Sequence, residues 1–253
     1  MRGERIVLPL VTAGVLGALW DVAVRVTQTK VFPPPGDVLS ALVTLGERKT
    51  LWIYTFDSLL RVIAGYSLAV ALAIPLGLLI GWMPKLGSAV NPLIQMLRPI
   101  SPIAWMPLAV IWFGVSNAAP VFLIFLASFF PIVVASANAV REIPAVFMEA
   151  GRNFGLSRPQ LLRRIVLPAV LPRIVVGLRI AFGVAWLVLV AAEMIAVDSG
   201  LGYLILDARN AGKRYDLVVG GMLIIGFIGL LMDMLFRGAE KLPALRWGFR
   251  EAK

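Results

Sequence analysis

The sequence predicts an all-α integral membrane protein, a single transmembrane domain over residues 1–253 with six transmembrane helices and both termini in the cytoplasm. The first observation is composition: 60% of the 253 residues are hydrophobic, only 15% are charged, and the mean hydropathy is +0.89. Soluble domains run at about 45–50% apolar and about 25% charged residues. The second is that the apolar residues form long, charge-poor stretches, as a bilayer crossing of about 20 residues requires. The third is an uneven distribution of basic residues along the chain.

The six predicted spans are the charge-poor stretches of the chain. They cover residues 6–24, 62–83, 93–113, 120–140, 176–197 and 215–236. The third and fourth come from one charge-free stretch, Pro99–Val140, which is too long for one helix and divides at the turn formers of Gly114–Pro120. No small-x-small cleavage site follows the first apolar stretch, so we interpret it as an uncleaved anchor rather than a signal peptide.

The basic residues predict the orientation. With both termini on one side, that side receives 16 of the 24 Lys and Arg residues, including seven arginines between Arg141 and Arg179. The positive-inside rule places this side in the cytoplasm. The formal charge of +10 then reflects topology and contact with anionic lipid, and gives no reason to expect nucleic acid as a partner.

Several classes of site are excluded by residue type. The chain has no Cys and no His, which excludes disulfides, thiolate or imidazole metal sites and every nucleophilic triad built on these residues. It also lacks a G-x-x-x-x-G-K-[ST] motif, so it does not bind a nucleotide through a P-loop. We therefore expect no catalytic residue, metal or cofactor in this chain.

The first external loop, about Arg25 to Asp57, contains a stiff proline segment at Phe32–Gly36. Asp37 is expected to cap a short helix that ends near Leu45 and lies on the membrane surface.

The segment 141–172, between the fourth and fifth spans, is longer than a membrane connection needs. Ile143-Pro144 breaks the preceding helix, and a helix is predicted over 145–153 with Gly155 as its C-terminal glycine. Ser157, followed by Arg158-Pro159 and Gln160, predicts a capping box that opens a second helix, which Pro168 and Pro172 are expected to end. Such a bent, capped elbow suits docking into a groove of another protein.

This segment resembles the EAA loop of ABC importer permeases. The chain reads Glu149-Ala150-Gly151-x3-Gly155-x9-Ile165-x-Leu167-Pro168, with every spacing of that family's motif and one departure, Gly151 in place of the usual Ala. The resemblance implies a type I ABC importer-like transmembrane domain whose coupling helix inserts into a separate ATPase subunit. The residues expected to couple to that ATPase are Glu149, Ala150, Gly151, Gly155, Ser157, Arg158, Ile165, Leu167 and Pro168.

Further motifs resemble the permeases that import nitrate, sulfonates, taurine and bicarbonate. They are Leu97–Leu108, Ile111–Gly114, Ala191–Ile195 and Ser199–Tyr203, and with the proline segment the similarity covers about residues 30 to 240. The resemblance implies a permease of the bacterial inner membrane that forms the path for a small anion. Its implied partners are a second, identical permease copy, two ABC ATPase subunits that bind the ATP and Mg²⁺, and a periplasmic or lipid-anchored substrate-binding protein.

The candidate pathway or gate residues are polar groups near the spans. Glu193 lies late in the fifth span, where a carboxylate is costly and a functional role is the default; we interpret it as an ion-pair partner, a gate element or a neutral acid. Arg98, Ser101, Trp105 and Asn138 are possible lining residues, although simple helix packing explains them equally well. Arg61 and Arg179 are expected to extend towards an interface.

Three alternatives stay open. The same architecture could import riboflavin or a thiamine precursor. The chain could be a stand-alone secondary transporter or channel, although it carries one intramembrane Glu and no evident inverted repeat. It could also be a structural scaffold of the membrane, against which the proline-interrupted spans and the coupling elbow both argue.

Overall fold

The computed structural model describes residues 4–28 and 31–240, and every regular element in them is a helix. The α-helices are α1 (Glu4–Thr27), α2 (Pro35–Glu47), α3 (Lys49–Trp82), α4 (Pro84–Leu97), α5 (Met106–Phe113), α6 (Ala118–Arg141), α7 (Ala145–Asn153), α8 (Arg158–Leu161), α9 (Leu167–Ala196), α10 (Leu201–Gly212) and α11 (Tyr215–Glu240). A 3₁₀ turn, Pro102–Trp105, precedes α5, and a π-helical turn, Leu162–Val166, joins α8 to α9. Arg2 and residues 241–253, which contribute to the predicted orientation, lie outside the described residues.

Four helices of the described residues are long and apolar enough to cross a membrane. They are α3, α6, the combined helix Arg158–Ala196 and α11. The segments Pro84–Leu97 and Pro102–Phe113 would make a fifth if together they form one span. Helix α1 covers the first predicted span, 6–24, but it is not one of the helices named above. The count of six spans therefore remains a prediction.

The predicted third span, 93–113, is not one straight helix. Its two segments are bent by 83° between Leu97 and Pro102. The sequence there contains Arg98-Pro99 and Ser101-Pro102, and each proline lacks a backbone N–H and disfavours helix in the residue before it. The two prolines, which fall within four residues, therefore account for the bend, and a span over 93–113 stays a prediction.

Helix α6 lies at the centre of the fold, between α3 and α9. Three glycines of α3 allow its backbone to approach α6 closely. A Cβ atom would come within 2.6 Å of the Val121 carbonyl oxygen at Gly65, and within 2.7 Å of the Ala137 carbonyl oxygen at Gly81. A Cβ at Gly77 would meet Ser136 in the same way. Small residues at helix contacts are how membrane helices pack without a hydrophobic driving force between them.

Helix α2 begins earlier than predicted. Asp37 does not cap it, because the helix starts at Pro35, a residue whose fixed φ suits a first helical position. Its buried residues Val38, Ala41 and Leu45 share one face, and α2 packs on α11. The helix that was predicted to lie on the membrane surface therefore packs against the body of the described chain.

Candidate functional site

The bend of the elbow, which we define as residues 145–166, is made by Gly155. Its φ of +73° lies in the left-handed region that glycine adopts without strain. The N–H of Leu156 donates to the carbonyl of Gly151 at 3.0 Å, and the N–H of Gly155 donates to the carbonyl of Arg152 at 2.9 Å. This pair of bonds is a Schellman motif, which ends α7 at the glycine that the sequence indicates.

The second half of the elbow starts at Ser157, as the capping box predicts. The Gln160 Oε1 atom accepts hydrogen bonds from the Ser157 backbone N–H at 2.8 Å and from its hydroxyl at 3.1 Å. Proline follows in the first turn, where its missing N–H has no helical partner to lose. Both helices of the elbow are therefore fixed by local chemistry at the point where they meet.

The second helix was predicted to end at Pro168 or Pro172, but it does not. It continues through a π-helical turn into α9, so that Arg158–Ala196 is one helix of 39 residues. In this turn Leu167 N–H donates to the carbonyl of Leu162, five residues back. A π-helical turn of this kind can re-satisfy the backbone groups that prolines leave without a partner. Neighbouring helices also make prolines tolerable inside a membrane helix.

The elbow packs on itself at Gly151 and exposes an apolar tip. Gly151 is buried, and a Cβ there would come within 2.5 Å of the side-chain ends of Leu161 and Ile165. Val146, Phe147 and Phe154 are exposed, Phe154 to 86%. Large apolar side chains exposed on a segment that is predicted to lie outside the bilayer are candidates for an interaction surface.

The other expected coupling residues lie along the elbow and the start of α9. Glu149, Ala150, Gly155, Ser157 and Arg158 are exposed, as are Leu167 and Pro168, whereas Ile165 is half-buried. A cavity of about 890 Å³ is lined by residues of the elbow and of the ends of α3 and α6, among them Arg152 and Arg158, and by Lys85 of α4.

Glu193 is fully buried and forms an ion pair with Arg61, which is 4% exposed. Arg61 Nη1 donates to Glu193 Oε1 at 2.7 Å, and the Ser58 hydroxyl lies 2.7 and 2.9 Å from the two carboxylate oxygens. The Gly202 N–H donates to Oε2 at 3.0 Å. The carboxylate is therefore held by a cation and a hydroxyl of α3 and by a backbone amide of α10.

Arg61 uses all of its hydrogen-bond donors. Besides Glu193, it donates from Nε and Nη2 to Asn117 Oδ1 at 2.9 and 2.7 Å, from Nη1 to the Ser199 carbonyl at 2.8 Å and from Nη2 to the Ser199 hydroxyl at 2.6 Å. A guanidinium has five N–H groups, and these five bonds account for each of them. A buried charge is tolerated when it is paired and its donors are satisfied in this way.

Glycine is required where the loop after α9 covers the ion pair. Gly200 has a φ of +107°, and a Cβ there would come within 2.6 Å of Arg61 Nη1 and would clash with the Glu193 carboxyl. A Cβ at Gly202 would clash with the carbonyl of Val190. The motif Ser199–Tyr203, which forms the end of this loop and the first residues of α10, therefore has a physical role in covering this pair.

The remaining candidate pathway residues do not join the ion pair. Arg98 and Ser101 lie exposed at the bend between α4 and α5, and Trp105 packs beside Met106 and Ala109. Asn138 is exposed on α6. Within the described residues, none of these polar side chains forms a hydrogen bond to Glu193.

Sequence reasoning missed the partners of Glu193. Arg61 was expected to extend to an interface, but α3 begins at Lys49 and so places it well inside the helix. Arg179 likewise pairs with Asp233 of α11, at 2.6 Å. The signal was present for Arg61: Ser58 and Arg61 are three residues apart, which puts both on one face of a helix.

Comparison with known proteins identifies the family of this chain. Residues 73–242 match the family described as binding-protein-dependent transport system inner membrane component. The taurine transport system permease protein TauC of Escherichia coli is 35% identical over 90% of this chain and 85% of that protein. The nitrate import permease protein NrtB of Synechocystis is 32% identical over 94% and 89%, and the bicarbonate transport system permease protein CmpB of Synechococcus elongatus is 38% identical over 74% and 68%.

A solved structure shares the fold. An inward facing conformation of the MetNI methionine ABC transporter aligns with a TM-score of 0.65 at 19% identity, over 75% of this chain and 94% of that one. The family match covers more than half of the chain, and the relatives align along most of their own length. This chain therefore belongs to the binding-protein-dependent transport system inner membrane component family, as a multi-pass permease subunit of an ABC importer.

Proposed function

We propose that the chain forms the path for a small anion across the bacterial inner membrane and is driven by a separate ATPase that grips the elbow. Two copies of the chain with six spans each, two ATPase subunits and one substrate-binding protein make the complex. Both termini lie in the cytoplasm, where the ATPase subunits bind ATP and Mg²⁺.

The observation that carries the coupling proposal is the elbow itself. Phe154 stands almost completely exposed at the tip, directly before the Gly155 bend, and no described part of the chain covers it. A buried aromatic anchor at the centre of a docking surface contributes much of the binding free energy of an interface. The arginines around it add positive charge suited to acidic groups on a partner.

The proposed cargo follows from the relatives. Taurine, nitrate and bicarbonate, which the names of three relatives give as cargo, share a compact oxyanion group. Among the described residues near the spans, the Arg98 side chain is exposed, whereas the negative charge of Glu193 is neutralised by its ion pair with Arg61. An anion would therefore not meet the Glu193 charge unshielded. Uptake of labelled taurine, nitrate and bicarbonate by the assembled complex, with its binding protein, distinguishes among these anions.

The experiment that tests coupling is Phe154→Asp. We expect the ATPase subunit to stop copurifying with the permease and ATP-dependent uptake to fall to background, because the change places a charge where an apolar anchor docks. Val115→Asp is the matched control: Val115 is similarly exposed, but lies in the loop between α5 and α6. Normal copurification and uptake in Phe154→Asp would contradict the proposal.

A further inference from the structure

One helix joins the elbow to the buried ion pair. The helix Arg158–Ala196 runs without interruption, and Glu193 lies 35 positions after Arg158. At 1.5 Å per residue these two residues are separated by about 50 Å along the helix. The same helix therefore carries the second half of the elbow at one end and the carboxylate at the other.

At the far end, one guanidinium ties four segments together. Arg61 belongs to α3, Asn117 directly precedes α6, Glu193 lies near the end of α9, and Ser199 belongs to the loop before α10. We define these residues with Ser58 as the outer clamp. Ser58 adds a further link, because its oxygen accepts a hydrogen bond from the Leu201 N–H at 2.9 Å at the start of α10.

The outer clamp is fully hydrogen-bonded and closely packed. All five donors of Arg61 are used, and both oxygens of Glu193 accept hydrogen bonds. Gly200 and Gly202 fit so closely that an added methyl group at either would clash. Removing one partner of a buried ion pair leaves an unpaired buried charge, so the segments cannot separate cheaply.

We infer that Arg61 is a positioning residue for transport: with Glu193 it makes the outer ends of α3, α6, α9 and α10 move as one body with the elbow. The inference rests on the proposed function only in that the ATPase moves the elbow. Without the clamp, a push on the elbow would splay these helix ends apart instead of switching the whole subunit between its two states.

The first test measures coupling in the assembled complex with its ATPase. In Arg61→Gln we expect ATP hydrolysis to continue while solute taken up per ATP falls about tenfold or more, within the range of energetic coupling between distant sites. Arg61→Lys keeps the charge but loses the planar fork, and should be intermediate. Arg179→Gln, which breaks another ion pair on α9, is the control and should keep the normal ratio.

The second test measures directly whether the outer ends of these helices move together. The chain has no native Cys, so spin labels at Val115→Cys and Arg209→Cys report without background. The wild-type distance distribution should be narrow and unchanged between nucleotide-free and ATP-bound complexes. In Arg61→Gln it should broaden or shift with nucleotide.

The outcomes separate the two proposals. If wild type needs ATP but Arg61→Gln keeps both its uptake per ATP and its narrow distance, the clamp is not a positioning device. A variant in which hydrolysis and uptake fall in proportion would also overturn the inference, because that is a purely structural effect. Uptake by wild type without ATP would refute the proposed function, and the role of the clamp with it. Should Arg61→Gln not assemble, Asn117→Ala removes two of the five bonds without unpairing the charge, and the same results decide.

Discussion

Gly65 of α3 lies against the backbone of α6, so closely that a Cβ atom would come within 2.6 Å of the Val121 carbonyl oxygen. A backbone atom cannot move aside as a side-chain end can. We expect Gly65→Val to force α3 and α6 apart and to lower stability by at least about 1–3 kcal/mol, the usual cost of overpacking. Thermal unfolding in detergent, followed by size-exclusion chromatography, measures the loss.

The control for Gly65 is Gly183→Ala on α9, where an added Cβ would meet nothing within 4 Å. It should be neutral or slightly stabilising, because Ala favours helix over Gly by about 1 kcal/mol. Equal stability of Gly65→Val and wild type would show that the two helices do not pack as described.

Gly200→Ala is predicted to damage the outer clamp. The backbone conformation at a φ of +107° is nearly restricted to glycine and costs about 1–3 kcal/mol for other residues, and the new methyl group would also press on Arg61. We expect a lower melting temperature and reduced uptake. Gly212→Ala, whose Cβ would only touch the Arg214 side chain at 3.4 Å, should behave as wild type.

Gly151 tests the departure from the family motif. An added methyl would meet only the flexible ends of Leu161 and Ile165, so Gly151→Ala should be tolerated with normal ATPase copurification. Gly151→Leu should separate α7 from α8 and abolish copurification, since no shift of a terminal methyl makes room for four carbons. Loss of copurification in the Ala variant as well would mean that the elbow is packed more rigidly than these contacts indicate.

The orientation is tested by reporter fusions. Fusions after Val115 and after Asp207 should report the periplasm, and a fusion after Arg158 the cytoplasm, because the basic residues concentrate on the elbow side. Opposite signals at all three positions would invert the topology and remove the elbow from the reach of an ATPase.

Local rules in the sequence predicted much of the elbow. The positions of Gly155, Ser157 and Gln160 depend on interactions within a few residues, and the structure has the turn and the capping box where these residues stand. The end of α5 at Phe113 is marked in the same way by the glycine that comes next, Gly114. Such features need no knowledge of the rest of the fold.

Features that depend on distant residues were harder to predict. Arg61 and Glu193 are 132 positions apart, and nothing local says that they meet. The prediction that the helix ends at Pro168 or Pro172 was wrong. A π-helical turn and packing in the bundle tolerate these prolines, so tertiary context overrides local propensity there. The early start of α3 had the same effect on Arg61, since a charge near a predicted border became a charge in the helix interior.

Transport through this chain is expected to require a separate ATPase subunit, and one reconstitution tests this requirement directly. Liposomes containing the permease alone are compared with liposomes that also contain its ATPase and binding protein, with labelled substrate outside and ATP inside. We predict uptake only in the complete system, in step with ATP hydrolysis. Uptake at the same rate by the permease alone, with no nucleotide consumed, would contradict ATP-driven transport through this chain.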